Sequence, residues 1–133
     1  MKSLATAQSL RSVGRFREAL ASIPSSDARQ ESLATRLLRA ELISEMGDAA
    51  GASSILQGVE TVRGLTETER GLIELVKANI EKENGNFDSE LHHLQKSASF
   101  AERGHDLDAV CQLQLRLVAL IADRSGPEPP SGR

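Results

Sequence analysis

Three glycines set the phase of this chain. Gly14, Gly47 and Gly85 lie 33 and 38 residues apart, and each sits in the same frame of apolar residues. Seven residues before them stand Ala7, Ala40 and Ala78. Ten before stand Leu4, Leu37 and Leu75, and nine after stand Ile23, Leu56 and Leu94. A period of this length accommodates two helices and a turn, and a unit of that size buries its apolar face only against a neighbouring copy. The constraint therefore falls on architecture first: stacked helix pairs.

Composition supports helices. The chain has 133 residues, no Trp, no Tyr and three Phe, and Leu and Ala dominate its apolar set. Leu, Ala, Glu, Arg and Gln favour helices, and no segment alternates with the period of a strand. The expected fold class is all-α. With a net charge of -3 and both signs mixed along the chain, there is no basic stripe and no aromatic residue interleaved with Arg or Lys. A nucleic-acid partner is not expected. The one cysteine, Cys111, forms no internal disulfide. The first residues hold no signal-peptide core, and no segment reaches the roughly 18 apolar residues of a membrane span. These features predict a soluble cytoplasmic protein with no membrane partner.

The glycines, prolines and capping residues divide the chain into about seven helices. The first runs from about Ser3 to Val13. A short second helix carries Phe16, Ala19, Leu20 and Ile23 and stops at Pro24. Asp27 with Gln30 suggests a cap for the third, which extends through Leu42 and Ile43 to Met46. Asp48 caps the fourth, with Gly58 and Gly64 bracketing the connection that follows it. Thr66 and Glu69 form a capping box for the fifth. Asn86 suits the start of the sixth, Gly104 its end, and Asp106 the start of the seventh, which reaches about Asp123. Residues 124–133 are rich in Pro and Gly and read as a tail or linker, leaving 1–123 as the helical domain.

The segment Gly14-Arg15-Phe16-Arg17-Glu18-Ala19-Leu20 resembles the inter-helix turn of a tetratricopeptide repeat (TPR). Ala7, Gly14, Phe16 and Ala19 match that family's first copy. Ala40, Gly47 and Ala52 match the second, with Ala49 at the aromatic position. Ala78, Gly85 and Phe87 match the third, with Glu90 where the alanine belongs. Around Gly104 a partial fourth copy holds Phe100, Ala109 and Leu113, so the sixth helix serves two pairs. The resemblance implies an α-solenoid of antiparallel helix pairs in a right-handed superhelix. It further implies a concave groove lined by the first helix of each pair, where a peptide or a partner's helix is received. Transferring the groove-facing offsets gives Leu4, Gln8 and Arg11, then Leu37, Glu41, Ser44 and Glu45, then Leu75, Asn79, Lys82 and Glu83. The same residues also fit plain solvated helix faces. A carboxylate clamp of the chaperone-binding type is not expected, since leucines occupy the lysine positions.

A second surface is expected on the seventh helix. Its apolar residues, among them Leu113, Leu115, Leu117, Val118, Leu120 and Ile121, cover more than half the circumference. The polar remainder is Asp108, Gln112, Arg116 and Asp123. Such a helix is covered by a second copy of the chain, a following domain or a partner, or is wrapped by the fifth and sixth helices. His92, His93, His105 and Cys111 lie close in sequence but without metal-ligand spacing, and Cys111 reads as a core residue. No nucleophile turn or phosphate loop is present, so neither catalytic residues nor a cofactor are expected. The leading expectation is an interaction module or adaptor for a protein partner, with a homodimer through the last helix as one mode of assembly. The alternative is a regulatory domain of a larger bacterial signalling or transcription protein.

Overall fold

The computed structural model describes residues 4–23 and 32–125, the side chains of Leu4, Ala5, Ser12, Arg124 and Ser125 excepted. The described chain is all-helical, with no strand. Its seven helices are α1 (Leu4–Ser12), α2 (Phe16–Ala21), α3 (Leu33–Glu45), α4 (Ala49–Val59), α5 (Glu67–Glu83), α6 (Phe87–Arg103) and α7 (Leu107–Ser125). Each packs on the next in sequence, and α3 also touches both α1 and α5.

Local chemistry sets most of the boundaries. Thr66 Oγ1 accepts from the Glu69 amide at 3.1 Å, and Glu69 Oε1 accepts from the Thr66 amide at 2.8 Å. This reciprocal pair satisfies two backbone donors that a helix start leaves free. Asp48 Oδ1 accepts from Gly51 N at 2.9 Å and starts α4. Two expected boundaries differ, and one expected cap lacks its side-chain bond. α3 is capped by Ser32, whose extended backbone lets its hydroxyl take the Thr35 amide; Asp27 and Gln30 lie outside the described residues. Asn86 holds the N-cap position of α6 as expected, but its side chain makes no capping bond; its amide group donates to Glu81 Oε2. α2 ends at Ala21, with Ile23 beyond it yet buried at 3% exposure; Pro24 is outside the described residues. Two smaller differences follow: Gly58 lies inside α4, and α7 continues two residues past Asp123.

The phasing glycines share one backbone turn. Gly14, Gly47 and Gly85 have φ of 81°, 88° and 77°. In each turn the glycine amide bonds the carbonyl three residues back, and the following amide bonds the carbonyl five residues earlier. This left-handed closure of a helix favours glycine. The turn before α7 has the same bonds, His105 N to Glu102 O and Asp106 N to Ala101 O, but its left-handed residue is His105, with φ of 56°. Gly104 has φ of -84°. The fourth turn is thus phased on His105, twenty residues after Gly85, and not on Gly104. Seven residues before His105 stands Ala98, buried like Ala7, Ala40 and Ala78.

Three apolar clusters form the interior. Ala7, Ala19, Ile23, Leu38 and Leu42 join α1, α2 and α3. Leu37, Ala40, Ala52, Leu56, Val59, Ile73 and Val76 join α3, α4 and α5. Ala78, Leu94, Ala98, Ala101, Leu113 and Leu117 join α5, α6 and α7. Ala7, Ala19, Ala40, Ala52 and Ala78 are fully buried: small groups let helices approach, and leucines fill the spaces beside them. Each buried Leu contributes about 2 kcal/mol of transfer free energy. Glu90, which replaces the alanine expected at the start of α6, is buried and lies 3.5 Å from Arg116 of α7. The α5–α6 contact stays close at Gly71, where an added Cβ would meet Phe100 Cβ and the Ser97 carbonyl at 3.4 Å. Ser97 Oγ donates to the Gly71 carbonyl at 2.7 Å.

Candidate functional site

The odd-numbered helices turn one face each toward a common groove of about 610 Å³. Spacing explains which side chains reach it. On α3 the lining residues Ala34, Leu37, Leu38, Glu41 and Glu45 recur every three or four positions, and so lie on one helical face. α1 contributes Gln8 and Arg11, and α5 contributes Thr68, Glu69, Gly71, Leu72 and Leu75. Asp106 and the α7 residues Asp108, Ala109, Gln112, Leu113 and Arg116 form the far wall, with Ser97 and Ala101 of α6 at its base. The lining mixes apolar side chains with charged ones, of which Glu41 is buried and Asp108 exposed.

A chain of polar contacts runs between these helices. Arg11 Nη1 donates to Glu41 Oε1 at 2.7 Å, linking α1 to α3. Asn79 Nδ2 of α5 donates to Ser44 Oγ and to Glu45 Oε1, both at 2.9 Å. The Ser44 hydroxyl in turn donates to the Glu41 carbonyl at 2.7 Å. Arg116 of α7 stands 3.8 Å from Glu45 and 3.5 Å from Glu90. The Glu41 side chain is only 8% exposed. Burial pushes its carboxyl above the usual carboxylate range; Arg11 opposes the shift by charge and hydrogen bond without cancelling it. Burying an ion costs more than one partner returns. The contacts link α1 to α3, α3 to α5, and α7 to α3 and α6.

Of the residues expected in the groove, Gln8, Arg11, Leu37, Glu41, Glu45 and Leu75 line it. Leu4 is in the first turn of α1, and its side chain is outside the described residues. Ser44 and Asn79 do not face it: they are 6% and 5% exposed and bond each other between α3 and α5. Lys82 and Glu83 are exposed near the end of α5, away from the lining, with Glu83 beside the Gly47 turn. The sequence reading missed the α7 wall. Its signal was present in the four-residue spacing of Asp108, Gln112 and Arg116, which is the polar stripe of an otherwise apolar helix.

The expected assembly surface on α7 divides in two. Leu113 and Leu117 are buried, and Leu120 packs beside them against the α5–α6 cluster. Leu115 at 72%, Val118 at 65% and Ile121 at 46% face outward, with Leu107 at 73% on the same side. Cys111 is exposed on this outer side, so it is not a core residue. The fifth and sixth helices thus cover one side of α7 and leave the other bare.

Elsewhere the buried Glu74 is met by three basic side chains. His93 Nδ1 lies 2.8 Å from it, and Lys77 and Lys96 lie at 3.6 Å. Lys77 also meets Glu60 at 2.8 Å. Burial favours the neutral Lys77 amine, yet Glu60 and Glu74 together hold it above the ordinary lysine range. Among the described residues no group of three His, Cys, Asp or Glu side chains is placed to hold a metal ion. No helix there is long and apolar enough to cross a membrane. Comparison with family models, with curated proteins and with solved structures gives no match to this chain.

Proposed function

We propose that the chain is a protein–protein interaction module with a binding rather than a catalytic role, a TPR-like α-solenoid whose groove receives a peptide segment or helix of a partner. One observation carries this reading: α1, α3, α5 and α7, spread over the whole described chain, turn lining residues to one continuous groove. A groove lined by both apolar and charged side chains suits a chain segment, since apolar side chains supply burial and charged groups fix register. The glycine turns and buried alanines support the repeat reading. The test is affinity capture with the native chain and with a Leu75→Arg, Gln112→Arg variant, which sets two long charged side chains into the groove lining. A partner held by the native chain should be lost by the variant when both show the same circular dichroism and melting. Full retention removes the groove as the site.

A second reading, self-assembly through α7, is favoured by the outward Leu107, Leu115 and Val118. An exposed apolar face of this kind marks contact surfaces. Light scattering on the native chain and on Leu115→Glu tests it: a concentration-dependent dimer abolished by the substitution supports it, and a monomer at every concentration removes it.

A further inference from the structure

We infer that the occupant of the groove is a basic, amphipathic segment of a partner protein, with lysines or arginines meeting the groove carboxylates and leucine-sized side chains meeting Leu72 and Leu75. The inference rests on the reading of the groove as a binding site and adds its chemistry. The chain carries 19 acidic and 16 basic residues, a net charge of -3. The groove lining holds five of the acids, Glu41, Glu45, Glu69, Asp106 and Asp108, and two of the bases, Arg11 and Arg116. Removing these leaves fourteen of each sign. The rest of the chain is therefore balanced, and the whole negative excess lies in the groove.

Both groove arginines are already engaged. Arg11 meets Glu41, and Arg116 stands between Glu45 and Glu90. An acidic partner would have to displace these carboxylates. Asp108 has no partner among the described residues. Glu41 is buried with Arg11 as its salt-bridge partner, and burial still holds its carboxyl above the usual carboxylate range. A cation beside it favours the ionised form, while a phosphate or carboxylate disfavours it. In the same lining Leu72 and Leu75 are half-buried and ready to be covered. Charge concentrated in a cleft with apolar walls strengthens attraction and steers the partner inward.

Three fluorescein-labelled peptides test this, alike in length and leucine spacing but carrying Lys, Gln or Glu at every polar position. Binding is read by anisotropy, and its place by the amide shifts of Leu75 and Gln112. The Lys peptide should bind at least about tenfold more tightly than the Gln peptide, and more tightly still than the Glu peptide. Raising salt from about 50 mM to about 500 mM should weaken it about tenfold. The pair Asp108→Lys with Gln112→Lys should reduce its affinity about tenfold. The pair Gln95→Lys with Glu102→Lys, which adds the same charge on the exposed side of α6, should change it less than twofold. If the Gln or Glu peptide binds as well and shifts the same amides, the charge inference fails and the groove reading stands. If the two variant pairs act alike, the attraction belongs to the whole chain and the inference also fails. If no peptide moves Leu75 or Gln112, both fail together.

Discussion

α5 and α7 begin alike and end in different company. Their N-caps, Thr66 and Asp106, are forty residues apart, so Gly71, Glu74 and Ala78 of α5 correspond to Cys111, Gln114 and Val118 of α7. On α5 that face is covered by α6: Gly71 touches Ser97 and Phe100, Glu74 meets His93, and Ala78 packs with Leu94. On α7 the corresponding face is bare, with Val118 at 65% exposure. The covered face uses a missing Cβ, a carboxylate matched to a particular histidine, and an alanine. The bare face uses plain side chains that require no specific partner atom. The two helices thus show what a fixed neighbour demands of a sequence and what its absence permits.

The largest expected break comes from deleting the filling of α5's partner. Leu94→Ala on α6 removes a fully buried side chain and should cost about 3 kcal/mol in urea unfolding. Leu115→Ala on the bare face should change stability by less than about 0.5 kcal/mol. Equal losses would show that α7's outer face is covered in solution. Next in size is the paired exchange Gly71→Leu and Cys111→Leu. The first forces a side chain into a contact already at 3.4 Å and should cost about 2 kcal/mol despite the better helix propensity of Leu. The second points outward and should be neutral or slightly stabilising.

A smaller effect lies in the groove that α5 and α7 share with α3. A carboxyl whose folded value is raised holds its proton more tightly when folded. Its contribution is fully present below the ordinary value of 4.5 and is lost as pH rises through the raised value. Stability measured at pH steps from about 4 to about 7 should therefore fall, relative to Glu41→Gln, as pH rises through that window. A native chain that gains on the variant with rising pH would mean that Arg11 outweighs burial.

Much of the fold was legible because its signals are local. The Thr66–Glu69 box, the Asp48 cap and the Gly14, Gly47 and Gly85 turns each act within a few residues, and all seven helices could be placed from such signals. Local reading failed where two nearby residues competed for one role. Gly104 drew the turn that His105 makes, since glycine is the usual left-handed residue. Asn86 stands at the N-cap of α6 as expected, but its side chain bonds Glu81 and not the helix amides. Of the expected lining residues, Gln8, Arg11, Leu37, Glu41, Glu45 and Leu75 border the cavity. Ser44 and Asn79 were misplaced because each is the other's partner across 35 residues, a pairing that no spacing announces. The α7 wall was hidden by the apolar majority of that helix.

The smallest expected effect concerns the turn between the two compared helices. His105 holds the left-handed conformation that Gly85 holds one helix end earlier, and it is exposed. A side chain bearing a Cβ pays about 1 kcal/mol for that conformation. Glycine removes the strain but adds freedom to the unfolded chain, which takes back part of the gain. His105→Gly should therefore stabilise by about 0.5 kcal/mol, while Gly85→Ala should destabilise by about 1 kcal/mol. A destabilising His105→Gly would mean that the imidazole makes a contact worth more than the strain, and that the last turn is built for its own neighbours. A gain of the expected sign would leave the turn before α7 as one more copy of the glycine turn, strained by its residue. The difference between α5 and α7 would then lie wholly in what packs after it.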